Sequence, residues 1–278
     1  MENRFFIISA IVGTIAMTSL LADEIAHPNI PEGRISLTTK DGVDIGLQSY
    51  WYKYEEKVND EFFMSNTGNK YGFSGTGIKT LDNGYYLIAD ARYVTGDVKY
   101  KSASGEGDVS DNMYELRLLL GCEAMVENYL LASYTGIGYR RLDNDLRDLG
   151  SGGYRRTSQY TYIPIGITHR FLVDNESRIS SNIEYDYLLN GEQKSYLSDV
   201  GPSYAAIFGD PVNKQKHGYG VRINTAYEQE YWSIGAFFNY WHIGDSEVNY
   251  YDDGSSVYYA LEPKNDTKEI GLELKVRF

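Results

Sequence analysis

The 278-residue chain has a single cysteine, Cys122, which rules out an intramolecular disulfide framework and a cysteine-based metal cluster. Proline is scarce, at 6 residues, and histidine scarcer, at 4. After Ala22 there is no run of about 18 apolar residues, so a transmembrane helix is excluded. Basic blocks are also missing. Lys and Arg total 26 against 39 Asp and Glu, a net charge of −13, and nucleic acid is excluded as a partner on that balance. The excess lies in tyrosine, 27 residues against 10 Phe and 3 Trp, and in glycine, 28 residues.

The first segment reads as an export signal. Arg4 supplies the charge of a short leading region, Phe5 to Leu21 is apolar apart from small and hydroxyl residues, and Ala22 precedes Asp23-Glu24. Residues 1–22 are therefore expected to be a cleaved signal peptide. No cysteine stands near its end to carry a lipid. Residues 23–42 are polar and interrupted by proline, and are expected to form a periplasmic N-terminal segment: a tail, a short plug or part of an extra strand.

From residue 43 onward the chain alternates. Ile270, Leu272, Leu274, Val276 and Phe278 share one parity, and Glu269, Glu273, Lys275 and Arg277 the other. Period-two alternation gives a strand with one apolar and one charged face. The same pattern runs through 85–93, 114–120, 179–187 and 219–227. Strands are expected at 43–54, 69–80, 85–96, 112–123, 129–142, 157–171, 178–189, 216–228, 231–244 and 267–278. Short connections at 82–84, 124–128, 174–176 and 229–230 alternate with long ones at 55–68, 97–111, 143–156, 190–215 and 245–266. Long strands in even number, with short turns at one end and long loops at the other, predict an all-β, closed antiparallel transmembrane β-barrel of about ten strands over 43–278. Closure is what satisfies the backbone of such strands in lipid. Pro164 predicts a bulge within its strand.

The last strand, with Gly271, Leu274, Val276 and a terminal Phe278, resembles the C-terminal signal of Gram-negative outer-membrane β-barrel proteins, a porin-like class of small barrels. The resemblance implies an outer-membrane location, a monomer embedded in lipid and lipopolysaccharide, and insertion by the barrel-assembly machinery reading those four residues. It implies no cofactor and no particular activity.

The inward face is expected to carry Asp90, Arg92, Glu115, Arg117, Glu184, Asp186, Arg222, Glu269, Glu273, Lys275 and Arg277. Opposite charges confined in a narrow lumen pair with one another, because an unpaired buried charge is costly. This network either cross-links the barrel or lines a narrow passive channel. The size of a ten-stranded barrel favours the first reading, since wide pores need about 16 strands. If Gln229 and Glu230 form their turn, His217 stands opposite His242, a two-ligand candidate for a metal or a lipid phosphate.

An omptin-like surface protease is the main enzymatic alternative. It requires His242 with Asp245, or His217 with Asp210, alongside Asp143 and Asp145. Another outer-membrane hydrolase, pairing Ser233 with His242, would need residues from opposite faces of one strand. The acidic 245–266 loop carries Asp252 and Asp253, whose spacing matches no defined calcium loop. The leading expectation is a structural or surface-recognition barrel whose long loops meet an extracellular ligand.

Overall fold

The computed structural model describes residues 35–252 and 254–278; the expected signal peptide and residues 23–34 lie outside the described residues. Seven long strands come first: β1 (Gly42–Val58), β2 (Glu61–Thr80), β3 (Tyr85–Ser102), β4 (Gly105–Val126), β5 (Tyr129–Asp145), β6 (Arg155–Leu172) and β7 (Arg178–Ser195). A short helix α1 (Pro202–Phe208) and strand β8 (Val212–Gln215) follow, then β9 (Gly218–Glu228) and β10 (Trp232–Ile243). The small strands β11 (Asn249–Asp252) and β12 (Val257–Ala260) precede β13 (Lys264–Arg277).

Each long strand pairs antiparallel with its neighbour. The ring passes from β7 to β9, through β10 and β13, and closes on β1. This is a closed ten-stranded barrel, with β8 added only against the upper part of β7. Closure leaves no barrel edge unpaired along the lipid-facing wall.

The short turns fall where the alternation places them, at the end opposite the long loops. Two of the expected long loops are different. Residues 55–68 and 97–111 are mostly strand, because β1 and β2 run on to a tight turn at Asn59-Asp60 and β3 and β4 to one at Ala103-Ser104. Asn59 and Asp60 both take positive φ, 50° and 66°, the geometry that keeps a two-residue hairpin in step with strand twist. β4 reaches 22 residues, twice the roughly 9–11 needed to cross a bilayer. The barrel therefore rises well above the membrane on its extracellular side.

Outside, the apolar stripe is exposed where lipid covers it: Leu47, Leu116, Leu118 and Leu272 lie between 54% and 64% accessible. Trp51, Tyr71, Tyr93, Tyr114 and Tyr185 border that stripe toward the long loops, and Phe171, Trp232 and Phe278 border it toward the short turns. These are the aromatic girdles of a membrane barrel. Other tyrosines do not belong to girdles. Tyr50, Tyr52, Tyr86, Tyr134, Tyr160 and Tyr162 are buried inside the barrel.

The interior rings are accommodated by glycine. Tyr86 faces Gly121, Tyr134 faces Gly166, Tyr162 faces Gly138, Tyr50 faces Gly271 and Trp241 faces Gly220 across adjacent strands. At Gly121, Gly138 and Gly166 a Cβ would lie 2.2 Å from the facing ring. At these three positions the ring occupies the space a side chain would fill, so the glycine admits a large ring to a narrow lumen.

Pro164 sits in register with Asp186, and the β6–β7 irregularity falls earlier, between Thr161 and Tyr162. The missing proline N–H is taken up on the β5 side, where the ladder is interrupted and the Thr135 hydroxyl donates to the Pro164 carbonyl at 2.9 Å.

Candidate functional site

All eleven charged residues expected on the inward face point into the lumen, and most meet at mid-height. Arg222, from β9, is the hub. Its guanidinium donates to both oxygens of Glu115 at 2.6 and 2.9 Å and, through Nε, to Asp186 at 2.7 Å, with Glu184 at 3.1 Å. Arg117 donates to Glu184 at 2.7 Å and lies 3.7 Å from Asp90. Arg92 donates to Glu269 at 3.0 Å and to Gln48 at 2.6 Å. Tyr162 donates to Glu115 at 2.8 Å, and Asn239 to Glu269 at 2.9 Å. Nearer the periplasm, Glu273 pairs with Lys275 at 3.0 Å, and Arg277 grips both oxygens of Asp44 at 2.7 Å.

Sequence reasoning omitted several partners. Arg140 donates to Glu269 at 2.8 Å and is 1% exposed. Its parity with Gly136 and Gly138 would have placed it inside, since the alternation of β5 does not break before it. Tyr134 donates to Glu184, and Lys70 pairs with Asp111, both buried. No local signal marks Arg156, which joins Glu56 and Glu262 although they stand 100 and 106 residues away.

Above the charged layer a buried apolar and aromatic cluster, including Tyr52, Met64, Val98, Met113, Leu142 and Trp241, surrounds the Lys70–Asp111 and Arg156–Glu56–Glu262 pairs. Lys70 and Arg140 lie against the rings of Tyr52 and Trp241 at 3.8 and 5.3 Å, joining the two layers through cation–π contact. Below, two cavities remain. One, of 140 Å³, is lined by Gln48, Thr76, Asp90, Arg117, Glu273 and Lys275; the other, of 170 Å³, by Asp44, Ser180, Asn224, Glu228 and Arg277 among others.

The described part of the N-terminal segment covers the periplasmic mouth. The Thr39 N–H and hydroxyl donate to Glu123 at 3.0 and 2.6 Å, and Arg170 donates to the Thr39 hydroxyl at 2.9 Å. Arg178 donates to the Ser36 carbonyl, and Leu37 is buried with Tyr86, Met125 and Leu130. Residues 35–39 thus pack against the short-turn end of the barrel.

The histidine pair expected from the 229–230 turn does not form. The turn is displaced by one residue: the Gln229 N–H donates to the Trp232 carbonyl at 2.8 Å, and Ser233 pairs with Glu228. The Gln229 side chain accepts from Trp232 Nε1 at 2.9 Å and donates to the Tyr227 hydroxyl at 3.1 Å, which favours this closure over the expected one. His242 therefore faces Tyr219, while His217 lies level with Gly244, whose N–H it accepts at 2.8 Å. Because the displacement moves every pair by two, the faces are unchanged.

The His–Asp combinations of the protease alternative are not assembled either. His242 bonds Asp266 at 2.9 Å, on the outer wall, and Asp245 instead accepts the Lys264 N–H. Asp210 caps Ser198, and Asp143 and Asp145 pair with Arg141 and Arg147. Asp252 accepts the Gly254 N–H at 2.7 Å; Asp253 lies outside the described residues. On the terminal strand, Leu274, Val276 and Phe278 face outward and Gly271 lies under Tyr50.

Glu262, in the segment before β13, is the buried carboxyl whose titration bears on the loops. Burial, with Glu56 beside it on the same arginine, pushes it up to about 8. The unfolded chain ionises it near 4.5, so the folded state holds the proton more tightly across that interval. The stabilisation is complete below 4.5 and fades as pH rises toward about 8. The thermal midpoint of the refolded barrel, and the protease resistance of the 245–263 segment, are expected to fall over that window. In Glu262→Gln both falls are expected to be shallower; equal slopes in the two proteins would refute the assignment.

A closed ten-stranded antiparallel barrel with an apolar, aromatic-bordered exterior and a charge-filled lumen has the fold of a transmembrane β-barrel. Among solved structures, the chain is similar in fold to the outer membrane protease OmpT from Escherichia coli, at 12% identity and a TM-score of 0.51, over 87% of this chain and 100% of that one. Weaker likenesses are to the outer membrane protein OprG from Pseudomonas aeruginosa, at 11% identity and TM-score 0.40 over 87% and 99% of the two chains, and to an outer membrane channel from Pseudomonas putida F1, at 12% and 0.40 over 91% and 100%. No protein family matches the sequence, and neither does any curated protein.

Proposed function

We propose that this protein is a non-enzymatic surface-recognition barrel, a sealed and rigid cylinder that presents its extracellular segments to a ligand. One contrast carries the reading. The lumen is filled by the Arg222 layer and the aromatic layer above it, whereas Tyr250, Tyr259 and Val257 on the extracellular β11–β12 hairpin stand 73%, 74% and 67% exposed. Exposed aromatic side chains on a rigid scaffold are where specificity resides in such proteins. A narrow channel would require Arg222 to part from Glu115, Glu184 and Asp186 to admit an ion, at the cost of leaving buried charges unpaired.

Two measurements test the proposal. The mature chain, refolded and inserted in a planar bilayer, is expected to be silent. Removing residues 35–41 is expected to leave it silent, because the occluding layers lie above that segment. Discrete, reproducible openings would return the lumen to consideration as a channel. Separately, cells displaying the full protein should lose adhesion to their target surface when 247–262 are trimmed, while the barrel keeps its heat-modifiable migration. Unchanged adhesion would remove the recognition role.

A further inference from the structure

Between β10 and β13 the chain builds a separate two-stranded sheet. β11 and β12 pair with each other, Tyr250 opposite Tyr259 and Tyr251 opposite Tyr258, and among the described residues neither outer edge joins another strand. Residues directly opposite share a face. Tyr251 and Tyr258 pack on helix α1, where Phe208 meets their rings nearly edge-on at 5.6 and 5.5 Å. The base is tied down as well: the Glu247 N–H donates to the Lys214 carbonyl at 3.0 Å, and the Asn249 side chain donates to the Val212 carbonyl at 3.2 Å. The hairpin is a held platform, and its other face carries Tyr250, Tyr259 and Val257 outward.

The charge within the platform's own segment has one sign, with Lys214, Lys216 and Lys264 at its base. Residues 245–262 contain Asp245, Glu247, Asp252, Asp253 and Glu262 and no Lys or Arg. Glu262 is used by Arg156, Glu247 by Lys216, and Asp245 by the Lys264 N–H. Asp252, one oxygen of which accepts the Gly254 N–H, stands beside the tyrosine pair, two residues from Tyr250 and opposite Val257, hence on the exposed face without a cation among the described residues. A cationic side chain lying across Tyr250 would meet the face of an aromatic ring and a carboxylate together. The open edges supply backbone groups for an added strand, in which alternate side chains reach one face.

We infer that the β11–β12 hairpin docks an extended cationic segment of a partner protein as a third strand, with Lys or Arg at alternate positions lying on Tyr250 and Tyr259 against Asp252. This assignment rests on the surface-recognition reading and names its partner class.

The test uses the full refolded barrel in a zwitterionic detergent and a fluorescent peptide of alternating Lys and Thr, followed by anisotropy. Peptides alternating Glu and Thr, or Ser and Thr, serve as probes of charge, and immobilised oligosaccharides as a probe of a different ligand class. The lysine peptide is expected to bind, and to weaken as salt is raised. Tyr250→Ser with Tyr259→Ser should weaken it about tenfold or more, as loss of two aromatic anchors does, and Asp252→Asn several-fold, with heat-modifiable folding intact in both. Equal binding of the neutral or acidic peptide, or no effect of Asp252→Asn, overturns the cationic partner. Oligosaccharide binding that the tyrosine variants abolish, with no peptide binding, overturns the peptide assignment and leaves surface recognition standing. If the variants change neither peptide binding nor the adhesion of displaying cells, both readings fall.

Discussion

Replacing Arg222 by methionine is expected to destabilise the folded barrel by roughly 3–5 kcal/mol, the usual consequence of removing one partner from a buried ionic network. The size follows from the geometry. A single guanidinium contacts Glu115, Glu184 and Asp186, and all three carboxylates are nearly inaccessible, at 3%, 2% and 0% exposure. Arg117 still serves Glu184, but Asp186 loses the one cation it pairs with among the described residues. The measurement is urea unfolding in lipid vesicles, followed by tryptophan fluorescence and by the heat-modifiable gel shift. Adding Asp186→Asn to Arg222→Met should recover part of the loss, because the double variant no longer carries the stranded charge. A variant of unchanged stability, or a double variant worse than additive, would mean that the lumen is hydrated enough for Asp186 to manage alone. In that case the channel reading would gain ground.

The second large effect is expected at Gly138. A methyl group there would lie 2.2 Å from the ring of Tyr162, and the ring has little room to move, because its hydroxyl donates to Glu115 at 2.8 Å and accepts from Arg222 at 3.0 Å. Gly138→Ala is expected to destabilise by roughly 1–3 kcal/mol, the range for forced overpacking, and to slow refolding into vesicles. Tyr162→Phe keeps the ring over the glycine and should lose only the hydroxyl contribution. Combining Gly138→Ala with Tyr162→Ala should then give less than the sum of the two separate losses, since the clash disappears with the ring. Strict additivity of that double-mutant cycle would show that ring and glycine are not coupled. The same logic applies to Gly166 under Tyr134 and to Gly121 under Tyr86.

These two sites show what was legible in the chain and what was not. Arg222 was readable because alternation assigns parity: once Val221 and Ile223 face lipid, the residue between them faces the lumen. The same rule put the other ten charged residues inside. It also would have placed Arg140 there, had the Gly136-Gly138 parity been followed through. The pairing of Gly138 with Tyr162 was beyond it. That contact depends on the register between β5 and β6, and no feature of either strand alone states which residues stand opposite. The 229–230 turn shows how easily register is misplaced. A displacement of one residue preserved both faces but exchanged every partner, setting Val221 opposite Tyr240 and Ile223 opposite Phe238, and separated His217 from His242.

Composition and period determined the class of this protein. Strands long enough to cross lipid, with an apolar face alternating with a charged one, point to a closed membrane barrel, because backbone groups in hydrocarbon must be satisfied by neighbouring strands. Tertiary structure decided how the barrel interior is filled. The sequence held enough charge to line a pore and enough tyrosine to fill one, and period-two reading does not tell an interior tyrosine from a girdle tyrosine. Only the closed ring brings Arg222 to Glu115 from 107 residues away and lays Trp241 beside Tyr162. Side chains of opposite strands converge there in a space too narrow to leave them apart, and the proposal of a sealed barrel rests on that convergence.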